Sequence, residues 1–270
     1  MTRLRIQNIL KKEWQLMFSE VSNALLVTLL PLLIIGQGIL YIWLAAEFAG
    51  GAMIDNPLFQ SALQKLTEVL PALGGLAVEE QLQVLLLSQF NLFLLLIPMM
   101  IAVSFATFSI VEEKLSHSLE ALLATPVRTW ELLLGKALSG ALPAIVITWI
   151  CAGIFLLGVT ALGWGNLVNL VLTPSWFITL FLLTPAVAIL SFLLGVIGSS
   201  RARDAKSAQN LIVLIVLPVL ALIGIQVTGL VLFTTGLTLI LALVIGAVDV
   251  LVLRAAIRLF SRESIVVSWR

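Results

Sequence analysis

Four long stretches of the chain contain no Asp, Glu, Lys or Arg: residues 21–46, 81–111, 137–200 and 207–248. They hold 26, 31, 64 and 42 residues, in that order. A helix needs about 20 mainly apolar residues to cross the hydrocarbon core of a bilayer. The first two stretches therefore have room for one crossing each, and the last two have room for two each. The sequence predicts an all-α, polytopic membrane protein with six transmembrane helices.

The expected spans follow from these stretches and from the turn residues between them. Residues 163–175 are rich in Gly, Asn and Pro, which are typical of a turn, and they divide the third stretch. Residues 47–86 form the one long external loop, and residues 1–270 form a single membrane domain. We place the spans near residues 23–46, 88–111, 137–162, 175–199, 208–228 and 232–254.

The positive charges predict the orientation of the spans. Fourteen of the 15 Lys and Arg residues precede the first span or follow the second, fourth and sixth spans. In a six-span arrangement all four of these segments lie on one side, and the positive-inside rule makes that side cytoplasmic. Both termini are then cytoplasmic. Five spans would place one of the positive segments on the outer side.

Two further helices are expected outside the spans. Residues 2–20 place Ile6, Leu10 and Trp14 at helical spacing with charged residues elsewhere, which predicts an amphipathic helix in the cytoplasmic interface. Within the external loop, Asp55-Asn56-Pro57 is typical of a helix start. Apolar residues then recur at helical spacing up to Pro71, so a short external helix is expected there.

Motifs for catalysis are missing from the sequence. There is no G-x-x-x-x-G-K-[ST] segment that could bind ATP phosphates, no H-E-x-x-H and no G-x-S-x-G. His117 is the single histidine, and Cys151, the single cysteine, falls within the third span, where we expect it to be buried. We therefore expect no catalytic residue, no metal site and no cofactor bound by this chain.

The spans are also poor in charge, which bears on the energy source. Asp249 is their one candidate for a functional acid, since charge within a bilayer is costly and usually functional. Its position near the inner boundary favours an ion pair with Arg254 or with a neighbouring helix. The alternative is a proton relay.

Residues 111–136 form the most distinctive segment, an inner connection of about 25 residues. Leu115, Leu119, Leu122 and Leu123 make one apolar stripe at helical spacing, and Thr125-Pro126 breaks the helix. Thr125 can then cap a second helix that leads into the third span. Such a helix can insert into a groove of a soluble partner, or it can lie in the interface and stabilise the inner surface.

The amino-acid sequence of this segment resembles that of a known family. Residues 112–136, EEKLSHSLEALLATPVRTWELLLGK, resemble the hallmark loop of ABC transporter permeases of the type-2, exporter class. Lys12-Glu13 before the first span and Pro31 early within it are similar to the same family, and Ser207-Ala208 with Pro218 is a weaker likeness.

The resemblance implies a permease subunit without its own ATPase site. It would pair with a second permease copy, identical or different, in the cytoplasmic membrane, and two separate ATPase subunits would carry ATP and Mg²⁺. No nucleic acid is implied. Lys12 and Glu13 would make a secondary contact with the ATPase. The residues implied in coupling to the ATPase are Glu112, Glu113, Lys114, Leu115, Leu119, Glu120, Leu123, Thr125, Pro126, Glu131 and Lys136.

Two other functions remain open from the sequence. An ion-coupled secondary transporter would use Asp249, and its transport would stop when the ion gradient is dissipated. A non-transporting membrane scaffold or assembly factor would form a complex but would show no substrate-stimulated ATP hydrolysis.

Overall fold

The computed structural model describes residues 2–19, 21–48, 51, 55–115, 129–201, 216–222, 224–226 and 234–259. Within these ranges the chain is almost wholly helical and contains no strand, which confirms the all-α prediction for this part of the molecule. The helices are α1 Thr2–Ser19, α2 Val21–Phe48, α3 Pro57–Val69, α4 Val78–Phe93, α5 Leu96–Leu115, α6 Thr129–Val159, α7 Val168–Val171, α8 Pro174–Ile178, α9 Thr184–Arg201 and α10 Thr235–Leu259.

Five helical segments of the described ranges are long and apolar enough to cross a membrane, which makes this a multi-pass membrane protein. They are Val27–Phe48, Val78–Ile110, Trp130–Val171, Pro174–Ser200 and Thr235–Leu259. Of the expected fifth span, residues 208–228, the structure describes only a short apolar helix from Val216 to Gln226. Ile223 within it is outside the described residues. The count of six spans and the cytoplasmic side of the termini therefore stay predictions.

The helix that leads into the second expected span, α4, begins at Val78, ten residues before the expected start of that span near residue 88. Glu79 and Glu80 occupy its first turn, where negative charge stabilises the helix N-terminus, and a Glu80 carboxylate oxygen accepts the Ala77 N–H at 3.3 Å. A count of charges assigns these acids to a loop, whereas here they begin a helix. Two turn residues, Leu94 and Leu95, then separate α4 from α5.

The α4–α5 pair lies at the centre of the bundle, and most of its side chains are buried. α5 packs along α9 and α6. Glycines permit the closest approaches: a Cβ on Gly195 of α9 would lie 2.8 Å from Ala106 Cβ, and one on Gly140 of α6 would lie 2.4 Å from the Phe192 ring. Small residues of this kind let membrane helices gain packing energy at short range, where no hydrophobic driving force acts between them.

The chain reverses direction between α6 and α8, within the turn predicted at residues 163–175. The turn consists of short helical pieces, which are a π-helical turn at Thr160–Trp164, a 3₁₀ turn at Gly165–Leu167 and α7. Gly163 has a φ of +86°, a conformation that glycine adopts without steric cost. α8 then begins at Pro174 and continues through a second π-helical turn, Thr179–Leu183, into α9.

The two helices expected outside the spans are both present. α1 ends at Ser19, one residue before the predicted end, and α3 begins at Pro57 and is followed by a 3₁₀ turn at Pro71–Gly75. α1 docks on α6, where Ile9 fills the space beside Gly135. The Trp14 indole N–H donates to the Ser139 carbonyl oxygen at 2.9 Å. This docking places one end of α6 against the N-terminal helix.

Candidate functional site

A buried cluster of one acid, one base and one hydroxyl joins three helices, and we call it the ion-pair cluster. Glu13 comes from α1, Ser109 from α5 and Lys136 from α6. The Lys136 ammonium lies 3.0 Å from one Glu13 carboxylate oxygen, and Ser109 Oγ donates to the other at 2.8 Å. Lys136 Nζ also donates to Ser109 Oγ at 2.6 Å. The three side chains therefore form a closed ring of hydrogen bonds.

The ion-pair cluster is removed from solvent. Glu13 retains 3% of its exposure and Lys136 retains 2%. Burying two charges carries a large desolvation cost, which a short ion pair and further hydrogen bonds to both charges offset. Removing a single partner would leave an uncompensated charge, a change that costs about 3–5 kcal/mol in buried pairs. The cluster therefore strongly favours one arrangement of the three helices.

Two members of the ion-pair cluster lie close in sequence to the two ends of the distinctive inner connection. Ser109 lies six residues before the end of α5, and Lys136 lies seven residues after the start of α6. Residues 116–128, between these two helices, are outside the described part of the chain. Through Glu13, α1 is held to both helices that flank this segment. A displacement of the segment can therefore act on α5 and α6 together.

The residues implied in ATPase coupling fall into three groups. Glu13, Glu131 and Lys136 are buried inside the chain, whereas Lys12 is exposed on α1. Four residues lie in the last turn of α5, where the structure describes the backbone alone: Glu112, Glu113, Lys114 and Leu115. The remaining five lie outside the described residues: Leu119, Glu120, Leu123, Thr125 and Pro126. Their roles in coupling stay predictions.

Burial changes how two of these residues can act. Glu13 and Lys136 were expected to touch a partner, but in this arrangement their charged groups contact each other. Ser109 and the contact of Trp14 with Ser139 complete the site, and the sequence did not indicate either of them. The one available signal was that Ser109 is a hydroxyl residue just before the charged segment at Glu112, and a lone serine in an apolar helix is too common to assign.

A second polar cluster joins helices at the opposite end of the bundle, and we call it the amide–hydroxyl cluster. The Asn91 side-chain amide of α4 donates to Thr179 Oγ1 at 3.1 Å. Ser175 and Thr238 share a hydroxyl hydrogen bond of 2.7 Å, which joins α8 to α10. The Gln226 amide donates a long bond of 3.5 Å to the Ser88 carbonyl oxygen. This cluster carries no charge.

The expected ion pair between Asp249 and Arg254 is not formed. Asp249 is 9% exposed, and its Oδ1 has no hydrogen-bond partner among the described residues, whereas Arg254 is exposed. Residues five apart on an α-helix are rotated by roughly 140° from each other, which directs these two side chains to different faces. Cys151 is buried, as expected. The described ranges contain no group of three or more potential metal ligands.

Comparison with known proteins identifies a family for the chain. A family model described as ABC-2 family transporter protein matches residues 65–245, which is about two thirds of the chain. The match starts within α3 and ends within α10, so it includes Ser109, Lys136 and the whole amide–hydroxyl cluster. No curated protein and no solved structure matches the chain.

Proposed function

The chain belongs to the ABC-2 transporter family, and from that premise we propose that it is the permease subunit of an ATP-binding-cassette exporter driven by separate ATPase subunits. Membership makes it a membrane-spanning component of an ABC transporter. Export, rather than import, is the direction that the resemblance of residues 112–136 supports. The substrate crosses the membrane through this chain, and the ATPase supplies the energy.

The proposed assembly contains two permease copies and two ATPases in the cytoplasmic membrane. Each permease has six spans and cytoplasmic termini, as the positive charges favour. Residues 112–126 contact the ATPase from the cytoplasmic side, with the stripe of Leu115, Leu119 and Leu123 in a groove of the partner. Lys12, exposed on α1, makes the secondary contact. ATP and Mg²⁺ bind to the ATPase.

The observation that carries this proposal is the ion-pair cluster. An ATP-driven permease needs a stiff connection between the docking segment and the spans, because a flexible one would absorb the movement of the ATPase. Glu13 and Lys136 supply such a connection from α1 to both helices that flank the segment. We therefore assign Glu13, Ser109 and Lys136 as positioning residues, which act through the geometry of α5 and α6.

The docking part of the proposal is tested by co-purification of a tagged chain with the ATPase. Glu120→Arg and Leu119→Asp should reduce both the recovered ATPase and the substrate-stimulated ATP hydrolysis, because they alter the docking face. Glu68→Arg is the matched control, since Glu68 is exposed on α3, in the loop that the sequence places on the outer side. Recovery of no ATPase with the unmodified chain would contradict the proposal, as would unchanged hydrolysis in both docking variants.

The positioning part needs a variant that keeps the charge balance. The double variant Glu13→Gln/Lys136→Met removes both charges and the ionic link. We expect the ATPase to bind as before, while the amount of substrate moved per ATP falls roughly 2- to 30-fold, the range in which single contacts change coupling. A proportional loss of ATPase binding and transport would instead assign these residues to docking.

The energy source distinguishes this proposal from an ion-coupled transporter. Transport into or out of vesicles should persist with ATP present after an ionophore has dissipated the ion gradients. It should stop when ATP is replaced by a non-hydrolysable analogue. The opposite pair of results would favour the ion-coupled alternative, and Asp249 would then be the first residue to replace.

A further inference from the structure

A polar cavity lies at the end of the bundle that carries the amide–hydroxyl cluster. It has a volume of about 220 Å³, is partly open, and is bordered by α3, α4, α7, α8, the start of α10 and the end of the short apolar helix at Gln226. An engineered cavity of roughly 150 Å³ holds a benzene molecule. The cavity therefore has room for one six-membered ring together with its substituents.

The lining of the cavity combines a larger apolar surface with several hydroxyl and amide groups. The polar side chains that line it include Ser88, Asn91, Thr173, Ser175, Gln226 and Thr235. None of the described lining residues is Asp, Glu, Lys, Arg or His. An ion placed here would lose its hydration without gaining an opposite charge, which is strongly unfavourable. Hydroxyl and amide groups both donate and accept hydrogen bonds, so they match an uncharged ligand that does the same.

One acceptor in this lining is left without a partner. Gln226 is 4% exposed, and its Oε1 makes no hydrogen bond within the part of the chain that the structure describes. Its Nε2 makes only the long bond to Ser88. Buried polar atoms in folded proteins almost always have a partner, so an unpaired one marks a place where a donor belongs. A ligand hydroxyl in the cavity can supply that donor.

The remaining polar groups hold the wall in place. Asn91 is fixed by Thr179, and Thr179 lies in the π-helical turn Thr179–Leu183. The hydroxyl of Thr184, the first residue of α9, donates to the Thr179 carbonyl oxygen at 2.9 Å across this turn. Single π-helical turns inside longer helices occur frequently at functional sites. The wall is therefore built before any ligand arrives, and the Gln226 oxygen is the buried side-chain atom of the described lining that is left to be paired.

The opposite face of α4 provides an internal contrast. A second cavity, of about 240 Å³, lies between α2 and α4 and is lined mainly by apolar side chains such as Leu85, Phe90 and Phe93. Ser88 and Asn91 alternate with these residues along the same helix and line the polar cavity. Gln89 of α4 and Gln37 and Tyr41 of α2 also line the second cavity, and Gln89 Oε1, like Gln226 Oε1, is a buried acceptor without a partner among the described residues. The two cavities therefore differ in how many hydroxyl and amide groups line them, and not in the presence of an unpaired acceptor.

We propose that the polar cavity is a binding site for an uncharged, hydroxyl-bearing ring, which donates a hydrogen bond to Gln226 Oε1. Trp176 and Val84 offer apolar surface to the ring carbons, while the hydroxyl and amide groups form hydrogen bonds with the ring's hydroxyl substituents. The site exists in the chain alone and does not require an ATPase. Its use as a transport site would rest on the proposed function, but its existence does not.

The experiment uses the full chain in lipid nanodiscs, with a single reactive cysteine at the cavity. Cys151 is replaced by serine, and Thr173→Cys places a thiol in the lining. The rate of reaction with an uncharged maleimide is measured while glucose, glucuronate or glucosamine is added, at slightly acidic pH. The three rings have nearly the same shape and differ in charge. Thr160→Cys, at an exposed position outside the lining, is the matched control.

We expect glucose to slow the labelling of Thr173→Cys several-fold and saturably, with no effect on Thr160→Cys. Glucuronate and glucosamine should give little protection, because their charges would be buried without partners. In the Gln226→Met variant the half-protecting glucose concentration should rise roughly 2- to 12-fold, which corresponds to one net hydrogen bond. No protection by glucose, or equal protection by all three rings, would overturn the proposal, and the comparison of the rings needs no second variant to fold.

Discussion

The ion-pair cluster and the amide–hydroxyl cluster are both buried, both join several helices, and lie at opposite ends of the same bundle. Asn91 and Ser109 are 18 residues apart on the α4–α5 segment, a distance of at most roughly 27 Å along a helix. In the ion-pair cluster each of the two charged groups has its partner, with three hydrogen bonds among three side chains. In the amide–hydroxyl cluster no side chain is charged, and the Gln226 oxygen is unpaired among the described residues.

This difference indicates which role each cluster is suited to. A buried ion pair tolerates little change in geometry, since separating its charges in a medium of low dielectric is costly. It is suited to transmitting movement between helices. Uncharged hydroxyl and amide groups exchange partners at much smaller cost, so a cluster of them with one unpaired atom is suited to binding a ligand. Substitutions in the two clusters and along the helices between them test this difference.

The largest effect is expected for Lys136→Met, which leaves the Glu13 carboxylate buried beside Ser109 without its counter-charge. The free energy of unfolding should fall by about 3–5 kcal/mol. Denaturant titration of the purified chain in detergent measures this loss. Lys11→Met, at an exposed lysine of α1, should change it by no more than about 0.5 kcal/mol.

The double variant Glu13→Gln/Lys136→Met should recover part of that loss, because no unpaired charge remains. If Lys136→Met alone proved as stable as the Lys11→Met control, the ion-pair cluster would not be the fixed point of this end. The contrast between the two clusters would then disappear.

The next effect is expected at the seam between the clusters, where α5 and α9 are in closest contact. In Gly195→Ala the added Cβ would lie 2.8 Å from Ala106 Cβ and 3.3 Å from the Val103 carbonyl oxygen. Overpacking of this kind costs about 1–3 kcal/mol, measured by the same titration. Gly153→Ala on α6, where nothing lies within 4 Å of the added atom, should cost nothing. Equal stability of the two alanine variants would show that the helices can separate without penalty.

A smaller effect is expected for Asn91→Leu, which removes the hydrogen bond to Thr179 in the amide–hydroxyl cluster. Hydrogen bonds between membrane helices contribute about 0.6 kcal/mol on average and about 1.7 kcal/mol at most. A double-mutant cycle with Thr179→Val isolates this contribution. A coupling energy as large as that of the Glu13–Lys136 pair would mean that the two ends are equally rigid.

The smallest effect is expected for Gln226→Met, which introduces the same side chain as Lys136→Met at the other end. In the unmodified chain, the hydrogen bond that Gln226 Nε2 donates is long, at 3.5 Å, and Gln226 Oε1 has no partner within the described ranges. The substitution therefore removes little hydrogen-bonding energy. The free energy of unfolding should change by less than about 0.5 kcal/mol. A loss of more than about 1 kcal/mol would show that this amide is paired in the folded protein, which would remove the argument for a ligand donor.

Much of the helical layout could be predicted from the sequence, because charge is excluded from the bilayer over lengths that can be counted. The bounds of α2, and those of the helical run that begins with α8 at Pro174 and ends with α9 at Arg201, lie within a few residues of the expected spans. α6 starts eight residues before its expected span, on the side of the inner connection. α4 begins ten residues before the expected start of the second span, because Glu79 and Glu80 stabilise a helix N-terminus, and a charge count cannot distinguish such a terminus from a loop.

The candidate site was only partly predictable. The family resemblance drew attention to Glu13 and Lys136, and the structure brings these two residues together. It gave no indication that they bind each other, since they are 123 residues apart in the chain. Ser109, Ser175 and Thr238 were equally hidden, because a hydroxyl in an apolar helix has the same appearance whether it bonds to its own backbone or to another helix.

The sequence by itself determined that this chain is helical, lies in a membrane and resembles an ABC permease, because hydropathy and a dense local motif are properties of neighbouring residues. The tertiary structure alone decided which polar groups meet, which charge is neutralised and which oxygen is left unpaired. Those outcomes depend on how helices distant in sequence pack against one another, and packing of that kind is set by shape at the scale of single side chains, as at Gly195 and Gly140.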